Sequence, residues 1–293
     1  MVDAQVIAEP KMTMGEGPLW DVDQQRLYWI DVFHATVYRC ALDGGDLQSW
    51  TFPGKTLSSL ALRKQGGTIV TSGGGVYLFD LESRDTELIF DAGRGPGYGF
   101  NDCTVDREGR FITGMADGAL TKALTSGQGD LPSPSGHLCR IDPDLSVHVI
   151  GDAIGVTNGP CFDPDGTTFY CNDSGLRRIY AWNYDPVTGA AANRRIVTEF
   201  TDDQAIPDGA TVDEEGHLWV AAYHGGEIRR YAPDGTLDRR VPVPASSPTS
   251  VTFASPELDV LVVTSRGGDA EDDGRITALH GLGVHGLPGN TFG

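Results

Sequence analysis

The sequence predicts an all-β chain, a six-bladed β-propeller with four-stranded antiparallel blades, on three observations. One short pattern recurs along the whole chain: a small polar or acidic residue, an apolar run, a tight turn, then a second apolar run. Successive copies lie about 42 to 57 residues apart, which suits four short strands each. No segment of comparable length carries the 3.6-residue apolar period of a helix.

The turns give the blades in order. Asp21-Val22-Asp23-Gln24 leads into Leu27-Tyr28-Trp29-Ile30, Arg63-Lys64-Gln65-Gly66 into Thr68-Ile69-Val70, and Asp106-Arg107-Glu108-Gly109 into Phe111-Ile112-Thr113. Asp163-Pro164-Asp165-Gly166 leads into Thr168-Phe169-Tyr170, Asp213-Glu214-Glu215-Gly216 into Leu218-Trp219-Val220, and Ala254-Ser255-Pro256-Glu257 into Leu261-Val262-Val263. The runs are rich in the β-branched and aromatic residues that suit a pleated, half-buried surface. Third strands follow at residues 35–40 and 227–231. A β-sandwich also alternates short strands with Gly-rich turns, but repetition along the whole chain favours the propeller. The Asp-rich turns lack the ligand series and closing Glu of an EF-hand, so hairpin chemistry accounts for them. Residues 1–293 read as a single domain.

Composition bounds the partners. With 22 Lys+Arg against 41 Asp+Glu the net charge is −19, and no basic run is present to neutralise phosphates or an anionic membrane. Apolar stretches such as Val260-Leu261-Val262-Val263 fall far short of the roughly 20 residues of a membrane span. The first ten residues have neither a basic region nor an apolar core of signal-peptide length, so a cytoplasmic location is expected, with a monomer or weak homo-oligomer. The five Cys (40, 103, 139, 161 and 171) lack C-x-x-C spacing and read as reduced, mostly buried thiols. The pairs Arg177-Arg178, Arg194-Arg195, Arg229-Arg230 and Arg239-Arg240 read as solvated strand edges.

Eight residues before the corresponding turn positions stand Glu16, Ser58, Asn101, Asn158, Asp208 and Thr249, all polar. In a propeller the innermost strands line the central channel, so residues in one register form a ring at one mouth. The second strands bring Asp31, Asp117, Asp173 and His224 toward the same end. Oxygen donors without Cys or His in the inner ring suit a hard divalent cation, which would compensate carboxylates that otherwise repel each other. A wet channel mouth, with Asn and Asp starting strands for turn reasons, fits the spacing equally well.

Local wording adds a resemblance. Gly15-Glu16-Gly17-Pro18-Leu19-Trp20, Phe100-Asn101-Asp102-Cys103, Thr157-Asn158-Gly159-Pro160 and Pro207-Asp208-Gly209-Ala210 resemble the senescence marker protein, regucalcin and gluconolactonase family. So do Leu27-Tyr28-Trp29-Ile30-Asp31, residues 180–189 and residues 218–226, in order and over nearly the whole chain. The resemblance implies a six-bladed propeller holding one divalent cation (Ca, Zn, Mn, Mg or Fe(II)), with a small sugar lactone as substrate and hydrolysis to the sugar acid as reaction. It assigns metal ligation to Glu16, Asn158 and Asp208, substrate or metal-water contact to Asn101, and substrate contact to Asp117. Asp208 is the candidate for deprotonating the attacking water, with water activated by the metal itself as the competing nucleophile. The family has an Arg two residues before the Asn of its Phe-Asn-Asp motif, where this chain has Gly99; Arg94 or Tyr98 are the replacements the sequence offers. Residues 118–136 read as an inserted loop at the mouth, either lid or solvated loop. A phosphotriesterase-type hydrolase resembling diisopropyl fluorophosphatase and a non-catalytic calcium-binding propeller are the alternatives. Scattered histidines and the lack of a G-x-S-x-G elbow exclude a Ser-His-Asp triad, while His224 is a candidate contact near the channel.

Overall fold

A computed structural model describes residues 2–8, 10–93, 98–119, 134–201 and 204–293. Among them, 24 strands form six four-stranded antiparallel sheets, the blades of a six-bladed β-propeller. The contacts cluster into two compact units of three blades each.

The first unit, residues 1–57 and 200–289, contains three sheets. One is β2 (Gly15–Asp21), β3 (Arg26–Asp31), β4 (Thr36–Cys40) and β5 (Gln48–Thr51). A second is β18 (Ile206–Val212), β19 (Leu218–Tyr223), β20 (Glu227–Tyr231) and β21 (Leu237–Pro242). The third joins β22 (Pro248–Ala254), β23 (Val260–Ser265) and β24 (Ile276–His280) to β1 (Asp3–Ala8), which pairs along β24 from Asp3 opposite His280. This first strand precedes the first turn of the repeat, so the repeat pattern does not contain it. The core holds Trp29 and Trp219, both fully buried; Trp29 stacks on Tyr38 and Trp219 meets Phe253 edge-on.

The second unit, residues 58–199 and 290–293, holds the other three blades. They are β6 (Ser59–Leu62), β7 (Thr68–Ser72), β8 (Gly75–Phe79) and β9 (Thr86–Asp91); β10 (Tyr98–Val105), β11 (Phe111–Asp117), β12 (Gly136–Ile141) and β13 (Val147–Ile154); and β14 (Thr157–Phe162), β15 (Thr168–Asp173), β16 (Arg178–Asp185) and β17 (Ala190–Glu199). Its core includes Phe111, Phe169, Ile69 and Ile112, all fully buried.

Turn chemistry is as the sequence implies. Asp21, Asp106, Asp163 and Asp213 each turn one carboxylate oxygen onto backbone N–H groups of their own hairpin, as when Asp213 accepts from Glu215 at 3.0 Å and His217 at 2.9 Å. All five cysteines are free thiols, and burial pushes the Cys40 thiol up to about 11. One expectation fails: Arg229 and Arg230 are buried rather than solvated. Arg229 pairs with Glu227 and lies over the Phe200 ring, and Arg230 is enclosed by three carboxylates, so charge pairing offsets their desolvation. Among the described residues no helix is long and apolar enough to cross a membrane.

Candidate metal and substrate site

The innermost strands that carry Glu16, Asn101, Asn158 and Asp208 all break register at those residues. The shifts fall between Glu16 and Leu19 in β2, Phe100 and Cys103 in β10, Asn158 and Cys161 in β14, and Pro207 and Ala210 in β18. The β22 strand shifts likewise between Pro248 and Ser250, around Thr249, whereas β6 pairs with β7 without a shift. A bulge adds an unpaired residue, bends the strand and re-aims its side chain. The local sequence provides for it: Gly17 and Gly159 take left-handed φ values of 54° and 51°, and each is followed by a proline that has no N–H to leave unpaired. Gly209 serves differently, since a Cβ there would stand 2.6 Å from the Ser250 Cα.

In the second unit, two adjacent residues of β10 clamp three of β14. The Asn101 amide donates to the Thr157 carbonyl at 2.7 Å and to Asn158 Oδ1 at 2.6 Å, while Asp102 accepts the Gly159 N–H at 2.8 Å. Asn158 in turn donates to Ser174 Oγ at 2.8 Å, which fixes the direction of its amide. No sequence pattern marks Ser174, whereas Asp102 lies inside the Phe-Asn-Asp motif. Burial pushes the Asp102 carboxyl up to about 6, against the N–H groups of Cys103 and Gly159 that favour its charged form.

Asp102→Ala leaves the Gly159 N–H without its acceptor, and a loss of about 1–3 kcal/mol is expected in urea denaturation. An unchanged midpoint would show that water replaces the carboxylate. Because the folded carboxyl binds its proton more tightly than an unfolded one near 3.8, the unfolded state carries fewer protons between that pH and about 6. Stability therefore falls as pH rises through this window, and Asp102→Asn removes that fall.

In the first unit, Asp208 is buried and Glu16 half-buried. Burial raises the pKa of Tyr223, Arg266 offsets part of that rise, and the charges of Asp208 and Glu16 add to it. Tyr223 Oη also accepts a hydrogen bond from Arg266 Nη1 at 2.9 Å. His224, at a left-handed φ of 65°, lies against the Tyr223 ring with Nδ1 3.3 Å from Ser247 Oγ; burial and then Arg266 lower its pKa. Thr249 is fully buried and donates to the Gly15 carbonyl at 2.5 Å, so it braces the strand that carries Glu16.

Other expectations resolve individually. Asp117 ends β11 opposite Tyr98, while Arg94 and most of the 118–136 segment lie outside the described residues. A Cβ at Gly99 would stand 3.3 Å from the Gly73 carbonyl oxygen, so a side chain here would have to push against backbone. Asp31 and Asp173 are buried and spend their carboxylates on backbone N–H groups, Asp31 on Thr13 at 2.9 Å and Asp173 on Gly155 at 2.9 Å. They hold the entry into the innermost strands. Asp213, Glu215 and His217 bring ligand atoms within 4.8 Å of one another, but the Arg230 guanidinium already reaches Asp213 at 2.6 Å and Glu215 at 2.5 Å. Arginine supplies the positive charge that a metal ion would bring.

Comparison with known proteins adds an independent line. The sequence model of the SMP-30/Gluconolactonase/LRE-like region matches residues 14–267. The chain is 30% identical to the pentonolactonase of Haloferax volcanii, over 90% of this chain and 86% of that protein. It is 32% identical to the L-arabinolactonase of Azospirillum brasilense, over 92% and 86% respectively. Among solved structures, the calcium-binding protein regucalcin from Agrobacterium tumefaciens superposes with a TM-score of 0.87 at 25% identity, over 99% of this chain and 97% of that one.

Proposed function

The chain belongs to the SMP-30/gluconolactonase/LRE-like family, and on that premise we propose that it is a divalent-metal-dependent lactonase that opens a neutral aldonolactone to the sugar acid. The observation that supports this most is that Glu16, Asn101, Asn158 and Asp208 each stand on an inner-strand bulge, as does Thr249, whose hydroxyl is spent on the Gly15 carbonyl. Two relatives named as lactones' hydrolases and one named as a calcium-binding protein point the same way. Glu16, Asn158 and Asp208 would hold the cation. They offer carboxylate and amide oxygens only, a donor set suited to a hard divalent ion, whether Ca, Mg, Mn, Zn or Fe(II). The clamp on Asn158 fits this role, because its amide nitrogen is engaged by Ser174 and its oxygen is thereby oriented.

When bound, the cation supplies Lewis acidity toward the lactone carbonyl. Asp208 accepts the proton of the attacking water as the new C–O bond forms and returns it to the ring oxygen as the acyl–oxygen bond breaks, so that oxygen leaves as the hydroxyl of the sugar acid. Asn101 and Asp117 orient ring hydroxyls, whose hydrogen bonds reject analogues that lack them. The net charge of −19 favours departure of the anionic product, an effect that salt confines to roughly 8 Å at physiological ionic strength.

The test is a pH-indicator assay on a panel of aldonolactones, run on protein stripped with EDTA and on protein reloaded with each cation. Hydrolysis that disappears on stripping and returns on reloading is the expected result. Rapid turnover of phosphotriesters with none on any sugar lactone would reverse the substrate assignment.

A further inference from the structure

The first unit carries an open cleft of about 460 Å³ lined by Ser246, Ser247, residues 266–270 and Asp273. The loop from β23 to β24 forms one wall and is built for close approach. A Cβ on Gly267 would stand 2.6 Å from the Met12 carbonyl oxygen, and one on Gly268 would stand 2.3 Å from Asp273 Oδ2. Asp273 is buried and ties the walls together by accepting the N–H groups of Ser246 at 2.8 Å and Ala270 at 3.0 Å. The cleft is therefore a preorganised feature rather than a gap between loose turns.

Arg266 stands at its rim. Its backbone N–H donates to the Ser247 carbonyl at 3.0 Å, and it forms an isolated bridge with Met14, two residues before Glu16. Its side chain is exposed, and among the described residues its hydrogen-bond partner is the Tyr223 hydroxyl, which feels the Glu16 and Asp208 carboxylates. A guanidinium has five N–H donors, so most of this fork still faces the cleft or solvent. Three residues along the same loop stands Asp269, exposed, whose ionised carboxylate offers acceptors only. Two carboxylates against one cation disfavour an anionic guest. Donors and acceptors lining one cleft suit hydroxyl groups, each of which donates and accepts at once.

Resting on the lactonase reading above, we propose that this cleft is the subsite for the exocyclic polyhydroxyl arm of the lactone, with Arg266 as donor and Asp269 as acceptor. Arg266 thereby supplies a substrate-anchoring cation. The enzyme then selects lactones by the length of the hydroxylated arm beyond the ring.

The 1,4-lactones of tetronic, pentonic and hexonic acids carry no arm, a hydroxymethyl group and a glycol arm respectively. The metal-loaded enzyme is expected to show KM falling along this series. Arg266→Met should raise KM for the hexonolactone by about 10- to 100-fold, the range for a hydrogen bond to a charged group, and leave kcat and the tetronolactone KM within about twofold. Arg266→Lys, which keeps the charge and loses the fork, should fall between. Calorimetry with a 1,4-anhydrohexitol, which has the arm but no carbonyl, provides a readout on EDTA-treated protein: binding to wild type and its loss in Arg266→Met are expected. Equal effects on all three lactones, or no effect, would overturn the subsite. If wild type hydrolyses no lactone, the lactonase reading fails and the calorimetry still decides: binding lost in Arg266→Met supports the polyol subsite, and binding absent from wild type or unchanged in the variant refutes it.

Discussion

Asp208→Asn is expected to lower kcat on the preferred lactone by about 10²- to 10⁴-fold at saturating metal, the usual contribution of a general base. The substitution keeps a carbonyl oxygen for the cation and nearly the same shape in a buried position, but removes one negative charge and the proton acceptor. Metal affinity should fall as well, so the comparison requires a titration of the cation until the rate no longer rises. Asn158→Asp is the reference. It adds a charge without removing a carboxylate, and should tighten the metal while weakening its Lewis acidity. If Asp208→Asn regains near wild-type kcat once metal is added, Asp208 is a ligand only and the water is activated without it. Gly209 makes the position intolerant of backbone change, because its missing Cβ leaves room for Ser250, so side-chain isosteres are the informative variants.

The largest effect on stability is expected at the other acidic cluster. Asp213 is fully buried and Arg230 is 3% exposed. One oxygen of Asp213 accepts from Arg230 Nε at 2.8 Å and from the Trp219 indole N–H at 2.8 Å, while the other holds the turn through the N–H groups of Glu215 and His217. Asp213→Ala strands a buried guanidinium, an indole donor and two backbone donors together. Breaking a buried pair by deleting one partner costs about 3–5 kcal/mol, and a thermal or urea denaturation of the variant should show a loss in that range. Asp213→Asn keeps an acceptor for the turn and should lose less. The bound metal, measured by elemental analysis, should be unchanged in both. A loss under about 1 kcal/mol would mean that Glu215 and Asp238 suffice to hold Arg230.

The two clusters show why acidic residues are hard to sort by type alone. Asp213 and Asp208 both belong to the first hairpin, β18–β19, of the same sheet, one in a turn signature and one eight residues before the matching glycine. Register separates them: a turn aspartate satisfies its own hairpin, whereas Asp208 sits on a bulge. Asp31 and Asp173 read as members of the polar mouth because they end second strands, but they close backbone loops instead. Thr249 shares the register of Asp208 and braces Gly15. A shared register therefore gives the end of the strand on which a side chain stands, and hydrogen-bond partners decide what it is used for.

The all-β fold, the six repeats, the hairpin turns and the register of Glu16, Asn101, Asn158 and Asp208 are legible in the sequence, because each follows from local periodicity and turn chemistry within a few residues. Tertiary structure alone decided the rest. β1 completes a sheet with β24 from the far end of the chain, Asp102 reaches Gly159 in the next blade, Arg230 finds Asp213 across two strands, and Arg266 finds Tyr223 across two blades. These partners are 17 or more residues apart in sequence, and no repeat encodes them. Periodicity records which residues share a face, whereas the partner of a buried charge depends on how bulged and twisted strands bring separate hairpins into contact.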